Sequence, residues 1–292
     1  MFTAESRYVS GGLRACSGCA QRYTECAECG TLTRDTGCDE CSSHGYVWNY
    51  SYKPDPRFLG VGPVFLGLEL EIIVPTGDYH MSALTVSDHL GRIGYLKHDS
   101  SIQPLGFELV THPMDYRFAI EEFPWHLLDR LVELGCTSDN KVGIHVHVSR
   151  DGFASPTHIY RWAKLIYRNE AQAVKLARRR THFADFTARA RRKVRHAAKD
   201  ELRHYDLDRY QAINPHPRHT LELRIFAGSL DRQHVQAALA FVDASVEYTR
   251  GLTSADVLHD GGWEWARFVD WVSRHDKYAP LRAEMEALEC AC

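Results

Sequence analysis

The sequence GIHVHVS at residues 143–149 has the two-residue period of a half-buried β-strand. Its aliphatic residues fall on one side of such a strand, and His145 and His147 fall on the other, because successive side chains point to opposite faces. The aliphatic side packs on a core, which leaves the two imidazoles on the open side. The segment therefore predicts a sheet with one covered face and one open face.

Three other segments, at residues 66–72, 105–109 and 220–226, show the same alternation. In the last of them the pattern places Leu223 on the covered face and both Arg224 and Phe226 on the open face. Clean alternation favours an antiparallel or mixed sheet over a parallel sheet that is buried on both faces.

Apolar residues at helical spacing predict helices that cover the aliphatic face. One is expected at residues 123–134 and another at residues 235–246. A long helix is expected between them, with Ser155 as its N-cap, Pro156 as its first residue and an apolar stripe that continues to Ala173. The predicted fold class is α+β, an antiparallel sheet backed by helices.

The open face of the predicted sheet collects four carboxylates, two imidazoles and one guanidinium from four strands. These residues are Glu69, Glu71, Glu108, His145, His147, Glu222 and Arg224. A single pair of glutamates on a strand is usually just a solvated surface. Clustered carboxylates, however, require cations to neutralise them, and divalent cations that prefer oxygen ligands suit this set better than zinc does.

Four motifs, in this order and at this spacing, resemble those of the amidoligases, a family of carboxylate–amine ligases with a glutamine synthetase-like fold. They are GLELEI (67–72), HDSSIQPLGFELVTHP (98–113), GIHVHVS (143–149) and RYQAINPHPRHTLELRIFAG (209–228). The resemblance implies a curved antiparallel sheet that binds ATP and magnesium. It also implies that ATP activates a carboxylate as an acyl phosphate, which an amine converts into an amide or isopeptide bond.

The resemblance further implies roles for individual residues. The magnesium and ATP ligands would be Glu69, Glu71, Glu108, His145 and Glu222. The catalytic roles would fall to Glu222, to His147 near the nucleotide phosphates and to Arg224, whose planar guanidinium suits a transferring phosphate. Asp99 and Ser100 match an acidic–small pair that would contact substrate. Tyr210 and Asn214 match the segment before the last strand, with a structural role.

Two other functions are compatible with these residues. In a zinc-dependent hydrolase, His145, His147 and a carboxylate would hold zinc and activate water. In a non-catalytic adaptor, a degenerate ligase fold would carry a zinc module that binds nucleic acid or protein. Arg224 beside Glu222, and the number of acidic ligands, favour the ligase.

Six of the nine cysteines form three Cys-x2-Cys pairs near the N-terminus: Cys16, Cys19, Cys26, Cys29, Cys38 and Cys41. Two such pairs make a tetrahedral thiolate site for structural zinc. The first and third pairs could form it, or the second and third in a ribbon, or all three could build two sites with His44. We expect a zinc-ribbon-like module at residues 1–50 and an amidoligase-like catalytic domain at residues 58–292.

Charge and composition restrict the partners. The net charge is −3, no apolar run is long enough to span a bilayer, and residues 1–12 do not resemble a signal peptide. A cytoplasmic protein is therefore expected, with small-molecule, peptide or protein substrates that carry the carboxylate and the amine. Ten Lys or Arg residues at 178–203 form a solvated helix face, a patch for phosphates or an acidic substrate, or a nucleic-acid contact.

The cysteine pairs lead to a prediction about metal content. We expect at least one zinc ion per chain, and we expect chelation to remove the local order around residues 16–41, because a thiolate site contributes its binding free energy to folding. Metal analysis of protein purified without added zinc measures this directly. A content well below one equivalent would contradict the prediction.

Overall fold

The computed structural model describes residues 7–9, 13–25, 32–34, 46–75, 78–179, 184–186 and 210–289. Near the N-terminus it contains four short strands, β1 (Arg7–Val9), β2 (Leu13–Ala15), β3 (Thr24–Glu25) and β4 (Leu32–Thr33), in the order β2-β1-β4-β3. Val9, Ala15 and Leu32 form a small core of their own. Cys16 and Cys19 follow β2 at the short helix α1 (Ser17–Ala20), whereas the predicted zinc ligands Cys26, Cys29, Cys38 and Cys41 lie outside the described residues.

The main sheet of the described residues has seven strands. They are β5 (Val47–Trp48), β6 (Leu66–Ile73), β7 (Gly94–Lys97), β8 (Gly106–Thr111), β9 (Gly143–Ser149), β10 (Ile213–Asn214) and β11 (Thr220–Ala227). Their order is β10-β11-β9-β6-β8-β7-β5, and every neighbouring pair is antiparallel except β5 with β7. The predicted, mostly antiparallel sheet is therefore confirmed.

Helices contribute to a large apolar core that they share with this sheet, and all of them except the short helix Ser254–His259 have buried side chains in it. They are α2 (Tyr79–Leu90), α3 (Tyr116–Glu121), α4 (His126–Glu133), α5 (Pro156–Arg168), α6 (Glu170–Leu176), α7 (Arg232–Gly251), α8 (Ser254–His259), α9 (Trp265–Ser273) and α10 (Ala279–Ala287). The long helix α7 lies against β6 and β9 at the centre of the sheet, and α10 packs on α7. Aliphatic residues of the central strands thus face helices, which leaves the other face for polar side chains. Among the described helices, none is long and apolar enough to cross a membrane.

Two of the predicted helices differ from those observed. The Ser155 cap is confirmed, since its hydroxyl accepts a hydrogen bond from the backbone N–H of His158. The helix does not run through to Ala173, however, because α5 ends at Arg168 and the buried Asn169 donates its side-chain amide to the carbonyls of Leu165 and Trp263. The helix predicted at residues 123–134 begins only at His126, because the residue before a proline, here Phe123, is disfavoured in helical conformation.

The connection between the N-terminal strands and the main sheet contains Pro54 and Pro56. In the described segment 49–58 neither a helix nor a strand forms, as the two prolines predict. Strand β5 precedes this segment and yet pairs with β7, so the chain reaches the edge of the main sheet before it enters the linker. The division into a module at 1–50 and a domain at 58–292 stays a prediction.

A β-bulge interrupts the last long strand. Across β11 and β9, Leu223 lies opposite Val146 and Phe226 lies opposite Ile144, so two residues of β11 face the single residue His145. The extra residue reverses the alternation beyond Leu223. The prediction that Phe226 lies on the open face is therefore wrong: its side chain is 1% exposed and packs edge-on against Phe241 of α7.

The bulge leads to a prediction about stability. Phe226→Ala should lower the free energy of unfolding by about 3–5 kcal/mol, because it empties a ring-sized volume in the core. Phe58→Ala is the matched control, since Phe58 is 60% exposed, and it should change stability by less than about 1 kcal/mol. Denaturant unfolding of both variants measures the difference. Equal and small effects would mean that Phe226 lies outside the core.

Candidate active site

Strand register brings the polar residues of four strands into one patch. Glu69 on β6 lies opposite His145 on β9, and Glu71 lies opposite Glu108 on β8. Cross-strand partners point to the same face of a sheet and lie close enough to interact. In the same way Glu222 on β11 lies opposite His147 on β9. The predicted second face of the sheet therefore exists and carries these charged side chains, but Glu71, Glu108, His145 and Glu222 are buried on it, at 4–8% exposure.

His145 is at the centre of two groups of ligand atoms. Its Nδ1 lies 3.6 Å from a carboxylate oxygen of Glu69 and 3.6 Å from one of Glu222, and its Nε2 lies 3.9 Å from Glu71. Glu69, His145 and Glu222 form what we call the first triad, and Glu71, Glu108 and His145 the second triad. Within each triad the ligand atoms lie within 4.8 Å of one another.

The donor set fits divalent cations. The Nδ1 atom of His145 is buried and has no hydrogen-bond partner among the described residues, which is unusual for a buried polar atom. It faces two carboxylates at distances too long for hydrogen bonds, so a small cation between them would satisfy all three groups. Carboxylate oxygens with one imidazole are ligands that suit magnesium or manganese.

The carboxylates of the patch differ in their affinity for protons. Burial alone would raise the pKa of Glu69, but the imidazoles of His147 and His145 hold it well below its ordinary value. Glu222 is similar: burial opposes ionisation, and the two histidines nevertheless keep its pKa below the ordinary value. Burial and the charge of Glu69 raise the pKa of Glu108 well above that of a free glutamate, in spite of Lys97. A cation at the second triad would favour the ionised form of Glu108.

Hydrogen bonds from neighbouring residues orient the triads. The side-chain amide of Asn214 donates to Oε2 of Glu222 at 2.6 Å, which gives this motif residue a defined positioning contact. The backbone N–H of Gly143 donates to Oε2 of Glu71, also at 2.6 Å. Outside the triads, Nδ1 of His147 lies 2.9 Å from the hydroxyl of Thr220, and its Nε2 lies 3.2 Å from Glu69.

Arg224 lies at the bulge of β11, where two residues oppose His145. Bulges of this kind redirect a side chain next to active sites. Its Nη1 contacts the same oxygen of Glu222 that faces His145, and its Nε is buried without a hydrogen-bond partner among the described residues. The guanidinium is thus adjacent to the first triad and retains an unused donor.

Two further cations of the patch belong to none of the motif roles. Lys97 on β7 is 8% exposed, and its Nζ lies 3.7 Å from Glu108 and 5.1 Å from the centre of the Tyr50 ring. Arg179 lies against Gly143, with its Nη1 donating to the carbonyl of Phe226. Lys97 lies two residues after Tyr95 in the GYLK segment, so the two side chains share one face of the strand, and this spacing would have been the signal for Lys97. For Arg179, the signal is the basic run Arg178-Arg179-Arg180, which is predicted to act on ATP or on an acidic substrate.

The pair Asp99 and Ser100 lies in the loop after β7. The carboxylate of Asp99 accepts a hydrogen bond from the backbone N–H of Ser101, and its charge contributes to the raised pKa of Glu108. Asp99 is half-buried and therefore lies at the edge of the patch, whereas Ser100 is exposed. Of the basic stretch at 178–203, only 178–179 and 184–186 are among the described residues.

The first cysteine pair lies at the short helix α1. Cys16 and Cys19 are both exposed and free. Hydrogen bonds from the backbone N–H and the side chain of Cys19 lower the pKa of the Cys16 thiol, whereas the same contact raises the pKa of Cys19.

Comparison with known proteins gives one family. The family described as "Putative amidoligase enzyme" matches residues 87–246. No curated protein matches significantly. Among solved structures, "GmaS/ADP complex-Conformation 1" aligns with a TM-score of 0.38 and 14% sequence identity, over 78% of this chain and 69% of that chain. A structural similarity of that size is too weak to support an argument about function.

The matched segment begins after β6 and ends within α7. It includes Glu108, both histidines, Glu222 and Arg224, while Glu69 and Glu71 reach the patch from outside it. The match covers more than half of the 292 residues of this chain, and the chain therefore belongs to the amidoligase family.

Proposed function

We propose that this protein is an ATP-dependent ligase that joins a carboxylate to an amine through an acyl-phosphate intermediate. One observation carries the proposal: two carboxylate–imidazole triads share His145 on one sheet face, with the guanidinium of Arg224 next to them. Phosphoryl transfer needs cations at the phosphates and positioned groups for the transferring charge, and this patch has carboxylate and imidazole ligands for the former and a guanidinium for the latter. Membership of the amidoligase family supports the same class of reaction.

The two triads would hold two divalent cations, with Mg²⁺ as the ion that normally accompanies ATP. A neutral imidazole has only one free lone pair, so His145 can be a full ligand of one ion at a time. Because its Nδ1 faces both Glu69 and Glu222, we assign it to the first triad. Glu71 and Glu108 then provide the ligands of the second ion. Ions held there would supply positive charge to the phosphates.

The proposed reaction has two steps. An oxygen of the substrate carboxylate attacks the γ-phosphorus of ATP, the bond from that phosphorus to the bridging oxygen breaks, and ADP leaves. The amine then attacks the acyl carbon, loses one proton, and displaces inorganic phosphate, which leaves an amide. The first step needs the attacking oxygen and the phosphate held in line, and fixed geometry of this kind accounts for much of the rate.

The chain's own residues would contribute as follows. Arg224 would stabilise the charge that the transferring phosphoryl group carries. Glu222 would hold Arg224 in place and would also be a ligand of the cation at the first triad. His147 would lie near the phosphates, with the hydroxyl of Thr220 fixing its ring. Asp99, and Ser100 beside it, would lie at the edge where substrate enters.

The N-terminal cysteines would hold structural zinc. Cys16, with its lowered pKa, and Cys19 would form one half of a thiolate site, and a second Cys-x2-Cys pair would complete it. Such a site needs reduced thiols, which agrees with the cytoplasmic location expected from the sequence. The module would recognise a partner or substrate, or would act as a structural cap on the ligase domain.

Arg224 provides the first test of this function. Purified protein would be incubated with ATP, magnesium and panels of carboxylates and amines, while phosphate release and product mass are followed. Arg224→Ala should lower kcat on the order of 10³-fold and raise KM much less, because an arginine aimed at developing charge acts in the transition state. Arg224→Lys should rescue poorly, because lysine keeps the charge but lacks the planar fork.

The same assay separates ligase from hydrolase. A zinc hydrolase would cleave its substrate without ATP, and Arg224 would then have little effect on kcat. Product formation in the absence of ATP, or an Arg224→Lys variant near the wild-type rate, would overturn the assignment.

Glu71→Gln tests the cation sites. The amide keeps the shape of the side chain and can still accept the hydrogen bond from Gly143, so the fold should persist. Loss of one negative ligand should weaken magnesium binding and abolish ATP turnover. The measurement is phosphate release as a function of magnesium concentration, with Glu121→Gln on the exposed face of α3 as the matched control. Wild-type turnover of Glu71→Gln at saturating magnesium would contradict the assignment.

A further inference from the structure

Arg179 is a buried arginine on the open face of the sheet. It is 7% exposed, and its Nε is buried without a hydrogen-bond partner among the described residues. A Cβ atom on Gly143 would lie 2.5 Å from Nη1 of Arg179 and 2.8 Å from Nε2 of His145. Gly143 shares its face of β9 with His145, so the guanidinium lies over the open face beside the second triad. The absence of a side chain at Gly143 leaves room for it.

Two guanidinium groups thus lie on different sides of one imidazole. Arg224 contacts the Glu222 oxygen that faces Nδ1 of His145, whereas Arg179 lies beside its Nε2. A transferring phosphoryl group spreads its charge over three oxygens, and guanidinium donors match oxyanion geometry. Nε of Arg179 is a buried donor that requires an acceptor, and a phosphate oxygen would provide it.

The residue before Arg179 ties this position to the C-terminal helix. Nη2 of Arg178 lies 2.7 Å from Oε1 of Glu284 on α10, and Glu284 is 1% exposed. Nδ1 of His234 on α7 donates to the same oxygen at 2.8 Å. Burial alone would raise the pKa of Glu284, but His234 and Arg178 hold it below its ordinary value. A buried carboxylate therefore connects the end of α6 to both helices.

The backbone at Arg178 is strained. Its φ of 54° lies in the left-handed region, which residues other than glycine seldom adopt. The carbonyl of Ala177 just before it accepts a hydrogen bond from Ala227 at the end of β11. Strained residues persist where surrounding contacts impose them, and they concentrate at functional sites. Here the contacts on either side fix the direction in which the chain presents Arg179.

We propose that Glu284 and Arg178 are positioning residues that hold Arg179 on the open face, where Arg179 binds an oxyanion of the γ-phosphoryl group. The inference rests on the proposed ATP-dependent function. Glu284 lies outside residues 87–246, the segment that matches the family. In this arrangement α10, which carries Glu284, contributes a positioning residue to the active site.

The first experiment compares Mg·ATP and Mg·ADP binding to wild type and Arg179→Gln by titration calorimetry. The variant should bind Mg·ATP about tenfold to a hundredfold more weakly, as expected for loss of a charge-assisted hydrogen bond, and should bind Mg·ADP within about twofold of wild type. Equal losses of affinity for both nucleotides would mean that Arg179 acts only as a general positive charge, and this result would overturn the proposal. Unchanged affinity for both nucleotides would overturn it as well. A wild-type protein that binds neither nucleotide would instead refute the proposed function.

The second experiment tests the positioning residues. Arg178→Gly removes the ion pair but suits a left-handed φ, so the melting temperature should not fall below that of wild type by more than a few degrees. ATP affinity and kcat should nevertheless fall about tenfold or more, because small displacements of a positioned group are costly. Arg178→Gly should add little in an Arg179→Gln background, since the two changes remove one interaction.

Glu284→Gln should give the same selective loss of Mg·ATP affinity as Arg178→Gly. The matched control is Glu264→Gln, which breaks the exposed ion pair between Arg168 and Glu264 and should leave affinity and kcat unchanged. A folded Arg178→Gly variant with wild-type affinity and kcat would overturn the positioning role.

Discussion

The candidate active site depends on the imidazole of His145. Its two ring nitrogens face carboxylates from two neighbouring strands, β6 and β11, and these groups meet only because the strand register places them beside one another. A slip of one residue between β6 and β9 would turn Glu69 and Glu71 towards the helices and remove every ligand on that strand from the patch. The aliphatic side of the same strands, packed on α7, fixes the register. Core packing and ligand geometry are therefore two consequences of one alternation.

The bulge in β11 gives the sheet a local irregularity at its most charged point. Two residues oppose His145, so Arg224 can lie beside Glu222 while Phe226 returns to the core against α7. A regular strand could not present Glu222 and Arg224 on one face and then bury the aromatic ring two positions later. The carbonyl of Phe226 also accepts the hydrogen bond of Arg179. The irregularity thus affects the positions of both guanidinium groups.

Charge balance explains why so many ionisable groups coexist on a buried face. Four carboxylates are accompanied by two imidazoles and by the cations Lys97, Arg179 and Arg224. Even so the balance is uneven: the pKa of Glu108 is raised, while those of Glu69 and Glu222 are lowered.

The sequence by itself determined the four longer segments of the sheet and the face that carries Glu69, Glu71, Glu108, His145, His147 and Glu222, because period-two alternation and residue spacing are local properties of a strand. The Ser155 cap was readable for the same reason. Only the tertiary structure decided the bulge that returns Phe226 to the core, the break at Asn169, and the presence of Lys97 and Arg179 at the patch. Each of these depends on a partner distant in sequence, such as Val146 for the register of β11, Trp263 for Asn169, and Glu284 for the segment that presents Arg179. Local patterns carry no information about such partners, since long-range contacts form only when the whole core packs.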